Sequence, residues 1–559
     1  MSQTDWTVLF VYLVAIVAFG VWAGRGNRKM DDFFLAGRQM RWWAVGLSVM
    51  ATQVSAITFV STTGQAFTDG MRFLVFYFGL PFAMVVLCLT VVPFFYRARV
   101  TTAYQYLEQR FDSRTRTLTA LLFLLSRGLA VGVTLYAPSL VLSALLGWSE
   151  AATVLLMGGT TIAYVFYGGN KSVIWTDVVQ MGLIWFGIFL CLGMAWSQLP
   201  AGLGLRGALT VAQAAGRLDI VNPSPSLTTP YTLWGGLIGG FFLMLSYFGC
   251  DQSQVQRYLS SRSLAESRLS LLFTAFLKVP MQFLILLTGV LVFVFYHFEQ
   301  PPLLWNRVEL AKLEAQAPRA ELEAVKTRFG QAHAAREQAA VAYVRSRMPA
   351  DRTAYLAAGQ ELEAVRKDAQ ALIETVNGGK RYNDTNYIFL TYVLGHLPRG
   401  LVGLVVAVIF AAAMSTLCGE FNSLATATMI DFVKRFAPAT GSDARDLLLS
   451  RLLTAVWGGF ACLVALQAGR LGSAIEVVNR FGSYFYGSIL GVFALAILTP
   501  RASSRGAFWG LLAGMAVVGL VSQLTAIHFL WYNVVGAGTV FLAGLSVTIA
   551  QRRLASPRG

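Results

Sequence analysis

The chain has 559 residues, of which 56% are hydrophobic and 13% charged, with a mean hydropathy of +0.59. Soluble domains carry about a quarter charged residues, so a soluble globular enzyme is excluded, and so is disorder, which requires low hydrophobicity. Lys plus Arg number 44 against 28 Asp plus Glu, a formal +16; in a soluble chain that excess would suggest nucleic acid, but here it sits in loops between apolar runs, and no nucleic-acid partner is expected.

Stretches such as Val8–Gly24, Leu80–Phe95, Val178–Ala195 and Leu401–Ala413 hold almost no charge, and about 20 such residues cross a ~30 Å hydrocarbon core. The first is too long for the apolar core of a signal peptide, and no small-residue cleavage site follows it. Thirteen helices are expected, near 6–24, 43–68, 72–96, 117–146, 150–168, 172–198, 230–257, 269–298, 399–434, 449–468, 472–498, 506–526 and 529–551. Basic residues fall in alternate short loops: Arg25 to Arg41, Arg97 to Arg116, Arg257 to Arg268, Lys434 to Arg445, Arg501 with Arg505, and Arg552 to Arg558. This alternation is the positive-inside pattern, so the N-terminus is expected outside and the C-terminus in the cytoplasm. The five cysteines, Cys88, Cys191, Cys250, Cys418 and Cys462, all lie in apolar spans and read as buried small side chains rather than a disulfide or metal framework.

Two long segments lie on the outer side. The Gly-, Pro- and Ser-rich 199–229 reads as a loop with a short surface helix. The stretch 300–385 holds 11 acidic and 13 basic residues. Its Val308–Gly330 and Arg352–Val376 carry apolar residues at helical spacing, with Pro349 as a breaker, and predict an extramembrane helical hairpin. It reads as a passive decoration, with a module that docks a protein partner as the alternative.

Polar groups at membrane depth are the candidates for a transport pathway. The span 43–68 is the most polar, with Ser48, Thr52, Gln53, Ser55, Thr58, Ser61, Thr62, Thr63 and Gln65; it is either buried among other helices or locally unwound. The span 230–257 is interrupted similarly by Gly235, Gly236, Gly239, Gly240, Ser246, Gly249, Asp251 and Gln252. With the first helix set aside, the next ten form two groups of five, each opened by one of these irregular spans, which points to an inverted-repeat transporter with its site at the midplane. Small residues for tight helix packing are the competing explanation. The run Phe410 to Gly419 adds adjacent hydroxyls, Ser415 and Thr416, of the kind that suits a hard cation.

These residues resemble the sodium/solute symporters. The resemblance spans nearly the whole chain except 300–385 and is carried by Asp32-Phe-Phe-Leu-Ala-Gly-Arg38, Trp42-Trp-Ala-Val-Gly-Leu-Ser48, Ala51-Thr-Gln-Val-Ser-Ala-Ile-Thr-Phe59, Tyr167-Gly-Gly, Trp175-Thr-Asp-Val-Val-Gln180, Gln254-Val-Gln-Arg-Tyr258 and Ala411 to Thr416. It implies an all-α polytopic membrane protein with a five-plus-five inverted-repeat core, one leading and two trailing helices, and Na⁺-coupled alternating access. Carried over, a sodium site would use backbone oxygens of Ala51, Val54 and Ala412 with the hydroxyls of Ser415 and Thr416. Some members have a second site near an aspartate like Asp177; here Cys418 and Gly419 stand where hydroxyls are needed, so one Na⁺ is expected and Asp177 is a second-site or gating residue. The solute is expected among Gln53, Ser55, Thr58, Phe73, Tyr77 and Ser246, with Phe76 nearby. Arg127, deep in an apolar helix, has a planar fork suited to a carboxylate, and the sialic-acid branch is similar here; an acid on another helix is the alternative. Lys278 reads as snorkelling to the cytoplasmic end, and Arg257 as a cytoplasmic anchor or gate.

The expected organisation is 1–42 as leading helix and loop, 43–198 as first repeat, 199–229 as outer loop, 230–498 as second repeat interrupted by 300–385, and 499–559 as trailing helices and tail. The expected function is a bacterial-type inner-membrane symporter importing Na⁺ with a carboxylate-bearing solute, a sialic acid or another monocarboxylate. A neutral-sugar symporter is the alternative. A solute sensor is less favoured, since no output domain follows residue 551, and an enzyme is not expected because catalytic acids, His and Cys do not cluster.

Overall fold

The computed structural model describes residues 1–200, 202–436, 442–468 and 474–555. Arg558 and the first residues of the expected span 472–498 lie outside the described residues. The described chain is helical; its extended pairing is a bridge between Met40 and Ser261. The principal helices are α1 (Gln3–Ala23), α2 (Trp42–Gln53), α3 (Ala56–Asp69), α4 (Leu80–Leu89), α5 (Val91–Ala98), α6 (Ser113–Leu146), α7 (Glu150–Ser197), α8 (Phe241–Cys250), α9 (Gln252–Tyr258), α10 (Leu264–Phe298), α11 (Arg319–Ser346), α12 (Pro349–Val376), α13 (Leu401–Ala427), α14 (Asp443–Ala468), α15 (Ala474–Leu498), α16 (Ser504–Leu524) and α17 (Leu530–Ala555).

Among the described residues, nine helical runs are long and apolar enough to cross a membrane, and Gly235–Cys250 and Gly482–Leu498 are shorter apolar helices. The nine differ from the thirteen expected spans partly because single runs hold what sequence divides. α7 is 48 residues, ~72 Å at 1.5 Å per residue, more than twice a ~30 Å hydrocarbon core. It is interrupted at Gly169, whose φ 54 and ψ −154 leave helical space, where sequence separates 150–168 from 172–198.

α13 forms the centre: 89% of its most apolar stretch is buried, against 28% for α1 and α16 at the periphery. Asp5 of α1 accepts the backbone N–H groups of Gly400 and Gly403 at 2.7 and 2.9 Å, satisfying donors that the start of α13 leaves open. Close approach between helices rests on glycine: a Cβ on Gly24 would lie 2.0 Å from the Gly168 Cα, and one on Gly403 would lie 2.3 Å from the Asp5 carbonyl.

The basic loops gather on one face, where they bond to one another. Arg38 donates to the Val100 carbonyl, Arg262 to that of Gln39, Arg110 to that of Thr499, and Arg552 to that of Arg501. Asp5, the segment around Gly400 and the 300–385 insert lie at the opposite, insert-bearing face.

The insert is a helical hairpin, but its arms differ from expectation. α11 continues through Gly330 to Ser346, and Pro349 starts α12 rather than merely ending its predecessor. One glycine in an Ala- and Glu-rich helix costs only ~1 kcal/mol, whereas the fixed φ of proline suits a helix's first position. The hairpin has its own core, including Leu313, Leu322, Phe329, Leu362 and Ile373. Segment 199–229 contains the expected short helix, Gly204–Ala214.

Candidate functional site

The polar span 43–68 is broken. Val54 (φ −94, ψ 83) leaves the helix, its N–H donating to the Met50 and Ala51 carbonyls. Ser55 (φ −78, ψ 165) caps α3 by accepting the Thr58 N–H at 3.3 Å. α13 passes beside the break. There the Ser415 hydroxyl donates to the carbonyls of Ala51 and Ala412 at 3.2 and 3.0 Å, and the Thr416 hydroxyl to those of Thr52 and Ala412 at 3.2 Å each. Three carbonyls and two hydroxyls thus converge from two helices, a neutral hard-oxygen set able to hold Na⁺. Four of the five residues expected from sequence meet here. Thr52, absent from that expectation, supplies the further carbonyl, and Val54 forms the break.

On the other side of the break, Ser55 and Thr58 face each other with their hydroxyls 3.4 Å apart. The Thr58 carbonyl accepts from Thr62, whose hydroxyl accepts from Gln282 of α10 at 3.1 Å. One turn away on α10, the fully buried Lys278 ammonium lies 5.1 Å from the centre of the Tyr77 ring and has no hydrogen-bond partner among the described residues. Tyr77, Phe73 and Phe76 form one aromatic cluster. Gln53 reaches the Met244 sulfur at 3.5 Å, while its amide oxygen, like that of Gln282, is buried without a donor. Buried polar atoms are normally satisfied, so Lys278, Gln53 and Gln282 leave three open positions around the break. Ser246, also expected to face solute, donates to the Tyr486 carbonyl and ties α8 to α15.

The snorkelling expectation for Lys278 is corrected here. α10 begins at Leu264, capped by Ser263, so Lys278 sits 14 residues, ~21 Å, inside the helix, beyond the reach of its side chain. Arg127 meets the alternative that sequence left open: an acid on another helix. Its guanidinium pairs with Glu420 of α13 at 2.9 Å and with Asp251 at the break between α8 and α9, and it also donates to the Tyr486 hydroxyl. Its fork is therefore engaged by the protein rather than held open for a solute carboxylate.

Two further buried networks lie toward the basic face. Arg257 bonds Ser48 at 2.8 Å and pairs with Asp177 at 3.2 Å, while Asp177 also accepts from Ser48 at 2.6 Å and Cys418 at 3.5 Å. Gly419 makes room for this guanidinium, since a Cβ there would come within 2.1 Å of it. Arg116 pairs with Asp431 at 2.7 Å and Glu108 at 2.5 Å. Glu420 is four residues past Thr416, ~6 Å along α13, and Asp431 is fifteen past it, ~22 Å. Both acids were visible as ionisable residues inside an apolar span, as was Lys278 with Gln282 at i, i+4; these were the signals for the residues sequence reasoning missed.

The sodium:solute symporter family matches residues 33–301 and 369–514, skipping most of the insert. The human sodium-coupled monocarboxylate transporter 1 is 28% identical over 93% of this chain and 74% of its own length. The sodium/sialic acid symporter NanT of Aliivibrio fischeri is 26% identical over 97% of this chain and 92% of its own. Among solved structures, a substrate-bound, outward-open Na⁺-coupled sialic acid symporter superposes with a TM-score of 0.77 at 25% identity, covering 98% of both chains.

Proposed function

This chain belongs to the sodium:solute symporter family and is a multi-pass, Na⁺-coupled solute symporter; we propose that its solute carries both a carboxylate and hydroxyl groups, as a sialic acid does. The observation that carries this reading is the set of open valences beside the break: one buried ammonium, Lys278, and two amide oxygens, those of Gln53 and Gln282. The ammonium calls for an anionic acceptor and the amide oxygens call for donors. The sialic acid and monocarboxylate names of the relatives support the same class.

In this reading Na⁺ enters first from the insert-bearing side, taken as the outside because the basic loops gather opposite it. It binds the carbonyls of Ala51, Thr52 and Ala412 with Ser415 and Thr416, fixing the break against α13. That positions Ser55, Thr58 and Gln53, and linkage makes each ligand tighten the other's binding. Tyr77, Phe73 and Phe76 cover the solute. Release to the cytoplasm requires the Arg127–Asp251–Glu420 and Arg257–Asp177 networks to part, so these act as the inner latch. With one Na⁺ per monoanion the cycle moves no net charge; with a neutral sugar it is electrogenic.

Uptake and solid-supported-membrane currents in proteoliposomes test this with sialate, short monocarboxylates and a hexose. Na⁺-dependent, electroneutral sialate uptake is expected. Lys278→Met should raise the sialate KM ~10- to 100-fold, the weight of a charge-assisted hydrogen bond. Ser415→Ala should raise the Na⁺ concentration for half-maximal uptake about tenfold. Hexose uptake with an inward current, unchanged in Lys278→Met, would replace the anionic reading with the neutral-sugar one.

A further inference from the structure

A second polar site lies away from the break, at the basic face. A cavity of about 510 Å³ opens there between the end of α1, the start of α2 and the second half of α7. Its walls carry four cations, Arg25, Arg41, Lys171 and Arg262, against one carboxylate, Asp32. Asp32 is already engaged, accepting the backbone N–H groups of Arg28 and Lys29 at 3.3 and 3.1 Å and so capping the short helix Met30–Leu35. Arg25, Arg41 and Lys171 have no ion pair among the described residues, and the Arg262 guanidinium donates to the Gln39 carbonyl at 2.8 Å rather than to an acid. The lining of the cavity therefore carries a net charge near +3, and a phosphate is an anion that several separate cations can share.

One wall is made for a bilayer. Trp43 and Trp175 meet edge to face at 5.7 Å, and tryptophan favours the headgroup level of a membrane. From Trp175 the same face of α7 continues at helical spacing through Val179, Phe186 and Phe189, which are 45%, 56% and 56% exposed, an apolar stripe turned to lipid. Cations at the headgroup level thus stand directly beside a track for acyl chains. We propose that this cavity binds the phosphate-bearing headgroup of an anionic phospholipid, with its acyl chains along the Val179–Phe189 stripe. Basic pockets between spanning helices on the cytoplasmic side are suited to such headgroups. The site also touches the interruption of α7: Asn27, in the cavity wall, donates to the Gly168 carbonyl at 2.8 Å, next to Gly169.

The test uses the full chain purified in a neutral detergent, with retained lipid read by native mass spectrometry and stability read as melting temperature. Phosphatidylglycerol, phosphatidylcholine and inorganic phosphate are each titrated into wild type, Arg25→Gln/Lys171→Gln and Arg501→Gln. Wild type and Arg501→Gln are expected to retain phosphatidylglycerol and melt higher with it. The double variant should bind it about 30-fold more weakly, each cation weighing about fivefold, and phosphatidylcholine should do neither. Lys171→Arg, which keeps the charge, should bind like wild type and separates loss of charge from loss of fold. Equal retention of phosphatidylglycerol in the double variant, or of both lipids in wild type, overturns the proposal. Stabilisation by inorganic phosphate that also displaces phosphatidylglycerol overturns the lipid assignment in favour of a free-anion site.

Discussion

Arg127 reaches Asp251 and Glu420, which lie 124 and 293 residues away along the chain, while Lys278, equally deep, lies over the face of Tyr77 with no hydrogen-bond partner among the described residues. The depth of Arg127 is legible in sequence because no acid is within reach on its helix and its nearest cation, Arg116, lies three turns away; its partners are not, because separations of that size carry no local signal. Lys278 was misplaced for a different reason: Ser263 and Glu266 look like loop, yet they cap and open α10, moving the helix start five residues from the expected 269. If Arg127 is a latch, Arg127→Met leaves two buried acids uncompensated and should lower stability by ~3–5 kcal/mol. Adding Glu420→Gln should recover part of that loss, read as melting temperature. Uptake by the surviving protein should keep a sialate KM nearer to wild type than Lys278→Met does. An unchanged melting temperature with a KM raised about tenfold would instead make Arg127 the solute clamp.

The two irregular spans were legible as elements because polar and glycine residues cluster there, and both are broken, at Val54–Ser55 and at Asp251. What sequence could not give is the neighbour each break faces, since that depends on how α13 and α15 pack. The interruption of α7 was legible in Tyr167-Gly-Gly, and its geometry makes a prediction. Gly169 sits at φ 54, ψ −154, and a Cβ would lie 2.4 Å from the Phe33 carbonyl. Gly169→Ala should therefore destabilise by ~2 kcal/mol or more, whereas Gly182→Ala on the same helix, with nothing within 4 Å, should be close to neutral; melting temperatures of the two compare them. The loop joining α16 to α17 carries a pH dependence. The His528 backbone N–H donates to the Leu227 carbonyl at 2.9 Å, its ring lies 5.8 Å from that of Tyr231, and burial pushes its imidazole down from 6.5 to about 4. Between those values the unfolded chain takes up a proton that the folded one refuses, so this contribution is fully present above 6.5 and is lost as pH falls toward 4. Wild type should lose more melting temperature between about pH 7.5 and about pH 5 than His528→Gln; parallel losses would remove His528 from the account.

At the scale of the whole molecule, the transporter body and the insert have separate cores, and the family match passes over residues 302–368. The change in charge balance made the insert legible, but the boundary drawn at 300–385 takes in residues that belong to the body. Trp305 packs edge-on to Phe67 of α3 at 5.4 Å and donates its backbone N–H to Asp384 at 2.7 Å, and the Thr385 carbonyl lies against Gly64, where a Cβ would come within 2.2 Å. The detachable part is thus 307–376. It docks through a hydrogen bond between Tyr355 and His297 at 2.8 Å, from Arg336 to the Tyr296 carbonyl at 2.6 Å, and through the apolar contact of Ala340 and Tyr355 with Val211. Burial at this interface, with the Arg366 cation nearby, pushes the Arg336 guanidinium down to about 10. None of these contacts reaches the break at Val54–Ser55 or the oxygens of Ser415 and Thr416. Replacing 307–376 with a short Gly–Ser linker should accordingly preserve Na⁺-dependent uptake, with the KM for solute within about threefold of wild type, while lowering the melting temperature as Val211, Tyr296 and His297 become exposed. A deletion variant that is monodisperse and melts normally but no longer transports would show instead that the hairpin takes part in the cycle, through the Trp305–Asp384 strap that its two ends hold against α3.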